Sequence, residues 1–383
     1  MHSFRFEPTE LPPETAAIRA DVRAFLAENL ADYAAAMRSR SWLGIDMNFS
    51  RKFGQAGFLG MTFPKEYGGH GKTAFERYVM LEEVLAAGAP VGGHWMTDRQ
   101  SGPLILKFGT EEMKQRIIPR IAKGEIFFCI GMSEPDSGSD LASIRTKATR
   151  TDGGWLVNGA KIWTSGAHLH DYMIALVRTN PEAERKHDGM SQILIDLKNT
   201  DGITIRPIKN LAGEKHFNEC VFEDAFVPDA NLIGTENEGW SQVMAELAFE
   251  RSGPERYLSS YQMLRELLKE VSKDTTPQGI RAVGRLVAHL ATLRNMSISV
   301  AAKLQAGEDP ALDGAVVKEV GTLFEQSVPF IAHQMFEREP SPHHGDDFEQ
   351  TMAYTTLSAS AYAVRGGTRE IVRGILARGL GLR

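Results

Sequence analysis

Residues 131–140, GMSEPDSGSD, and 155–167, WLVNGAKIWTSGA, lie where the chain changes character. Upstream, from about residue 10 to 125, the apolar pattern is helical. Ile18, Val22, Phe25, Leu26, Leu30 and Tyr33 recur at three- and four-residue spacing, one face of a helix. Further helices are expected near 48–57, 73–88 and 110–123. From about 126 to 235 the period falls to two. WLVNGAKIW reads as two short apolar runs meeting in a hairpin turn at Asn158-Gly159. Other strands are expected at 127–132, 145–149, 172–177, 192–197 and 203–207. No long helix interrupts them, which argues against a parallel dinucleotide-binding sheet. From Gly239 helices return: Trp240, Val243, Met244 and Leu247 start an apolar stripe that Tyr257, Leu258, Tyr261, Leu264 and Leu268 continue. Residues 280–304, 315–336 and 351–377 extend the helical region.

Composition narrows the class. The 383 residues are 42% hydrophobic and 24% charged, enough apolar chain for two or three packed cores. A net charge of −6 without a basic cluster argues against nucleic acid as a partner. No run approaches the roughly 18 apolar residues that span a bilayer, so no membrane partner is expected. The N-terminal stretch carries Glu7, Glu10, Glu14 and Asp21 and resembles neither a secretory signal nor a transit peptide, which points to a cytoplasmic protein. Two cysteines, Cys129 and Cys220, make neither a disulfide framework nor a metal site.

The two opening segments carry chemistry. The loop of 131–140 is crowded with Ser, Gly, Asp and Pro, and offers hydroxyls and accessible backbone N–H groups to a ligand rich in acceptors. Composition alone leaves it open between that role and a β-turn cluster. Trp163 stands beside two hydroxyls, Thr164 and Ser165: a flat aromatic with donors at its edge, which suits a planar heteroaromatic ligand and equally a hairpin core. Gly68-Gly69-His70-Gly71 follows no strand and reads as a turn. His343, His344, Asp346 and Asp347 lack ligand spacing and read as a solvated loop, so no metal is expected.

Together the two segments resemble the paired signature of the acyl-CoA dehydrogenase family. FPKEYGGHGKTAFERYVMLEEV (63–84), KFGTEEMKQRIIPRIAKGE (107–125) and NECVFEDAFVPDANLIGTENEGW (218–240) extend the resemblance through Gly239; it is patchier after residue 260. It implies an α+β architecture: an N-terminal α-helical domain (1–125), a central β-barrel (126–236) and a C-terminal four-helix bundle (237–383). It also implies FAD. Ile130, Met132, Ser133 and Ser139 would line the flavin, Trp163, with Thr164 beside it, would stack near the isoalloxazine, and Ser165 would bond near N5. Arg365-Gly366-Gly367-Thr368-Arg369-Glu370 corresponds to the family's Glu-Gly-Thr region, placing Thr368 and Glu370 with the cofactor and Gly367 and Ser139 near the acyl thioester.

Most family members carry the catalytic glutamate just before that Gly-Thr; here the position is Gly366. A subset resembling isovaleryl- and long-chain-type dehydrogenases supplies the base from the first helix of the C-terminal domain, and this chain has Glu250 there. Glu250 falls three residues after Leu247 on an apolar stripe, where partial burial raises a carboxyl pKa toward that of a general base. A structural glutamate paired with an arginine would look the same from this residue alone. Pro254 cannot donate to the Glu250 carbonyl, so the helix should bend there. The implied reaction is α,β-dehydrogenation of an acyl-CoA to the 2-enoyl-CoA. The α-proton goes to Glu250 and the hydride to flavin N5, with Arg251 on the CoA portion and electron-transfer flavoprotein as acceptor.

The family's Arg-x-x-Phe-Gly and Gln-x-x-Gly-Gly stretches, which reach the ADP half of FAD across a subunit interface, are not found; LLKEVSKDTTPQGIRAVGR (267–285) and SPHHGDDFEQTMAYTT (341–356) stand near their places. The chain is therefore expected as a homodimer or homotetramer, or as a heteromer with a second dehydrogenase-like chain. Two rival readings remain: a non-catalytic partner subunit, and an acyl-CoA oxidase or flavin monooxygenase on the same fold.

Overall fold

The computed structural model describes residues 4–249 and 253–382. The chain forms two compact units. One comprises Ile45–Gly71 and Gly92–Leu247; the other is drawn from Met1–Gly44, Lys72–Val91 and Ala248–Arg383.

The first unit is built on a sheet of β1 (Phe128–Gly131), β2 (Lys147–Thr151), β3 (Gly154–Lys161), β4 (Tyr172–Arg178), β5 (Met190–Asp196), β6 (Ile203–Ile208), β7 (Phe217–Pro228) and β8 (Leu232–Ile233). Its order is β6-β7-β3-β2-β4-β5-β8, with β1 joined in parallel to β4. The expected central β domain is present, but no closed barrel is found among the described residues. The sheet is open and mixed: it ends in β6 on one side and the two-residue β8 on the other, too short to carry it round. Both faces are covered, which explains why β4 reads as a nearly continuous apolar run. Met173, Ala175 and Val177 pack with Trp155, Val157, Ile193, Ile195 and Phe222 on one face. Ile174 and Leu194 pack on the other against Leu104, Ile105, Ile117 and Ile121, from the helices Gly102–Phe108 and Glu111–Ala122. Cys129 and Cys220 are buried and unbridged.

The expected Asn158-Gly159 hairpin is corrected. β3 runs straight through both residues, and the reversal is made by Asp152-Gly153, which links Thr151 to its register partner Gly154 with Gly153 at φ +72°. Asn158 instead stands opposite a bulge in β7, where Glu223 and Asp224 together face it. The Asn158 amide exchanges two 2.9 Å hydrogen bonds with Asp224, itself at φ +50°. Gly159 is required there, since a Cβ would come within 2.7 Å of Thr146. The turn rule holds, but it applies at the other Asx-Gly pair. β7 was not among the expected strands, because Glu219, Glu223 and Asp224 interrupt its alternation.

Two buried histidines in this unit contribute to its acid sensitivity. His94 is stacked on Phe53 at 4.8 Å, with Nδ1 hydrogen-bonded to Ser50 at 2.9 Å. Burial pushes His94 and His170 each down to about 4 from the ordinary 6.5. Between these values the unfolded chain binds more protons than the folded one, so stability is fully present above pH 6.5 and is lost as pH falls toward 4, by about 1.4 kcal/mol per pH unit for each group. A fall in Tm is expected between pH 7 and 4.5, above the range where most carboxylates titrate, with His94→Gln showing a shallower fall. A Tm unchanged over that interval would refute the assignment.

In the second unit the helix Thr15–Asn29 lays Ile18, Val22 and Leu26 on Ala74–Ala86, as the spacing predicts. Arg19 and Arg23 pair with Glu83, and Arg294 with Glu82 at 2.6 Å. The stripe expected to continue from Trp240 to Leu268 with a bend near Pro254 is carried by separate elements: Gly239–Phe249 is one helix, Pro254–Arg256 a 3-10 turn, and Tyr261–Lys273 a second helix on which Leu268 is exposed. Tyr261–Lys273, Pro277–Gln305, Ala311–Met335 and Asp347–Val364 pack as a ring of four neighbours. The last helical region is likewise two helices, Asp347–Val364 and Arg369–Gly379, separated by Gly366 at φ +66° and Gly367 at φ +91°. Asp346 caps the first of these by accepting from the Phe348 and Glu349 N–H groups, and pairs with Arg338 at 2.6 Å.

Candidate functional site

In the sheet unit, β1 delivers Ile130, and the chain leaves it through Met132 and Ser133, all three half-buried. It then turns tightly: Glu134 and Ser137 exchange backbone hydrogen bonds of 2.8 and 3.0 Å, which leaves Ser139 exposed beyond the turn. The end of β3 runs alongside, with the Ile162 N–H donating to the Ser133 carbonyl at 2.9 Å. The two signature segments are thus hydrogen-bonded to each other.

Trp163 follows at φ +61° with its side chain 56% exposed, touching Phe217 edge-on at 6.0 Å. The left-handed region costs a non-glycine residue about 1–2 kcal/mol. Neighbouring backbone holds it there: Thr164 N–H donates to the Asn218 carbonyl at 3.1 Å, the Asn218 amide returns a bond to the Thr164 carbonyl at 2.9 Å, and Gly166 N–H donates to the His216 carbonyl. A strained, well-pinned backbone presenting a bare indole face is what stacking on a planar ligand requires. Thr164 is 1% exposed while Ser165 is half-buried, so Ser165 carries the more accessible of the two hydroxyls. Around Trp163 the structure therefore fits an isoalloxazine: a free aromatic face, a hydroxyl, and the adjoining backbone of 130–133.

Two residues that the sequence reading passed over tie this arrangement together. Lys161, fully buried, donates to the Met132 carbonyl at 3.0 Å and to the Glu134 carboxylate at 2.8 Å. Glu134 also accepts the Arg145 and Thr146 N–H groups, at 2.6 and 2.9 Å. Burial pushes Lys161 down to about 8 against the opposing pull of Glu134. Burial acts to raise the Glu134 pKa, but Lys161 and the backbone donors outweigh it and hold the carboxyl below its ordinary value.

In the helical unit Thr368 is the N-cap of Arg369–Gly379, its hydroxyl accepting from the Ile371 N–H at 3.4 Å, and Glu370 is exposed in the first turn. Gly366 and Gly367 form the break before it. A Cβ on Gly366 would sit 3.0 Å from Nη2 and 3.3 Å from Nη1 of Arg256, a residue 2% exposed. The space a side chain at 366 would need is filled by a guanidinium. Arg365 alongside donates to Ser259 Oγ at 2.7 Å, pairs with the buried Glu325 and lies over the Trp42 ring at 4.5 Å. Glu250 and Arg251 lie outside the described residues. Among the described residues no group of three or more His, Cys, Asp or Glu is arranged to hold a metal ion, and no helix is long and apolar enough to cross a membrane.

Comparison with known proteins places this fold and these segments. The acyl-CoA dehydrogenase N-terminal domain model matches residues 12–125, and the middle domain model residues 129–225. The acyl-CoA dehydrogenase IpdE1 of Mycobacterium tuberculosis is 32% identical over 95% of this chain and 97% of its own. FadE34 of the same organism, an acyl-CoA dehydrogenase, is 34% identical over 85% of this chain, which spans 44% of FadE34. Among solved structures, the Tcur3481-Tcur3483 steroid ACAD superposes with a TM-score of 0.87 at 29% identity, over 98% of both chains. The ChsE4-ChsE5 complex from Mycobacterium tuberculosis does so at 0.85 and 28%, over 98% of this chain and 100% of that one. The chain belongs to the acyl-CoA dehydrogenase family of flavoprotein oxidoreductases.

Proposed function

We propose that this chain binds FAD and carries out α,β-dehydrogenation of an acyl-CoA thioester, with Glu250 as the base. One observation carries the base assignment: at the C-terminal position where most of the family places its glutamate, this chain has Gly366, and Arg256 fills the space beside it. Bound FAD supplies the two-electron acceptor for oxidation of the Cα–Cβ bond. The residues proposed to hold it are Ile130, Met132, Ser133, Trp163, Thr164 and Ser165; Thr368 and Glu370 are proposed as cofactor contacts on the resemblance alone. Glu250 accepts the α-proton, the role of a general base. Ser139, Gly367 and Arg251 contact the thioester and CoA portions, the Arg251 fork matching phosphate oxygens. Electron-transfer flavoprotein is the proposed acceptor.

The test is an anaerobic titration of the purified yellow protein with acyl-CoA thioesters, following the visible flavin band. Bleaching by at least one thioester supports the dehydrogenase half-reaction; an oxidised band under all of them refutes it.

A second reading is favoured by the two chains named in each of the neighbouring structures and by the two ADP-side stretches the sequence lacks. In it, this chain is one subunit of a heteromer whose partner completes the FAD site. Protein that is colourless alone and yellow only when co-expressed with a second dehydrogenase-like chain would support this reading over the homo-oligomer.

A further inference from the structure

We infer that Lys161 and Glu134 act as a positioning pair, setting the shape of the flavin-accepting surface rather than touching the cofactor. This rests on the reading that 130–133 and 163–165 receive FAD. The pair stands where those segments join. Lys161 is the last residue of β3, two before Trp163, and Glu134 is the first residue after Ser133. The ammonium holds the Met132 carbonyl, the carboxylate holds the Arg145 and Thr146 N–H groups, and one 2.8 Å ion pair links the two.

The packing makes room for the lysine at some expense elsewhere. A Cβ on Gly131 would fall 2.5 Å from Met173 Sδ and 3.3 Å from Lys161 Cγ, so the glycine makes room chiefly for Met173 and to a lesser degree for the lysine stem. A fully buried ammonium is unfavourable unless paired and hydrogen-bonded. Hydrophobic residues of similar volume would serve the core at least as well, so stability alone is a weak reason for a buried pair. Its geometry supplies another: it turns the Met132 carbonyl inward and keeps the Ser133 carbonyl on the Ile162 N–H. The outward-facing groups of 132–133 and the strained backbone at Trp163 then stay in one register. Without the pair, the hydrogen bond left joining the segments here, among the described residues, is Ile162–Ser133.

The experiment uses the full chain, with the companion chain if one is needed for FAD binding. Apoprotein is titrated with FAD for wild type, Lys161→Met, Glu134→Gln and the double variant, with folding followed by far-UV circular dichroism and Tm. Both single variants are expected to bind FAD at least ten-fold more weakly. The double variant should be no weaker than the weaker single, because the pair acts as one device. When saturated, the variants should show a visible flavin band shifted toward that of free FAD, a change that a purely structural pair would not cause. Wild-type affinity and an unshifted band in any folded variant overturn the inference. So does loss of fold in all three, which would make the pair a requirement of folding rather than of positioning. A wild-type protein that binds no FAD under either condition would instead remove the flavin reading on which the inference stands.

Discussion

Glu250→Gln is expected to leave the protein folded and flavin-loaded while slowing acyl-CoA-driven bleaching by roughly 10²–10⁴-fold, the usual worth of a positioned general base. The change replaces one carboxylate oxygen with an amide nitrogen, preserving volume and removing only basicity. The structure adds a second arm to this test. Gly366, where the resemblance puts the family's usual glutamate, is the place to try a replacement base. Here Gly366→Glu in the Glu250→Gln background is expected not to restore bleaching. The position has φ +66°, and an added Cβ would meet the Arg256 guanidinium at 3.0 Å. A carboxylate placed there would pair with that guanidinium, which lowers its pKa and draws it away from an α-proton. Unimpaired bleaching in Glu250→Gln would sink the base assignment. Restored bleaching in the double variant would show that Arg256 yields the space.

The second large effect is on stability. Arg365→Met is expected to cost about 3–5 kcal/mol, because it leaves the fully buried Glu325 carboxylate without its cation. In a protein of this size that corresponds to a fall in Tm of about 5 °C. Glu325 keeps the Ser259 N–H at 2.8 Å, which compensates only in part, and the stacking of the guanidinium on Trp42 is lost as well. Adding Glu325→Gln should recover a good part of the loss by removing the uncompensated charge. Thermal melts of the two variants beside wild type check both statements; a single variant within about 1 kcal/mol of wild type would contradict the first.

Much of this was legible along the chain where one rule acts alone. The helices Met47–Gln55, Ala74–Ala86 and Glu111–Ala122 lie within a few residues of where the sequence puts them: each begins at an Asp or Thr cap, and the first and third bury one apolar stripe. The strands β4 and β5 are visible as well. What the sequence hides is choice between equal local signals and contact over distance. Asp152-Gly153 and Asn158-Gly159 are equally good turn formers, and the bond from Asn158 to Asp224 on a distant strand decides between them. A closed sheet and an open one read alike strand by strand; closure depends on whether the end strands are long enough to meet. In the candidate site the residue types around Trp163 are readable, but its left-handed backbone is not, since it is imposed by Asn218 and His216 from β7 and its approach. Lys161 and Glu134 are 27 residues apart, and Arg256 and Gly366 are further still; no spacing rule connects either pair.

The open sheet leaves the protein with borders, and those borders govern what other chains can do to it. A free strand edge invites a stranger's backbone to extend the ladder, the first step of aggregation. β8 offers only two residues for such an addition. β6 is longer, but Pro207 lacks an N–H to give, and Arg206 stands on the strand paired with Glu219 at 3.0 Å, so a charge must be accommodated by any newcomer. Companion subunits, whether identical or different, should therefore dock through side-chain surfaces and not by sharing this sheet. The same two devices keep so apolar a centre from offering its backbone to another chain.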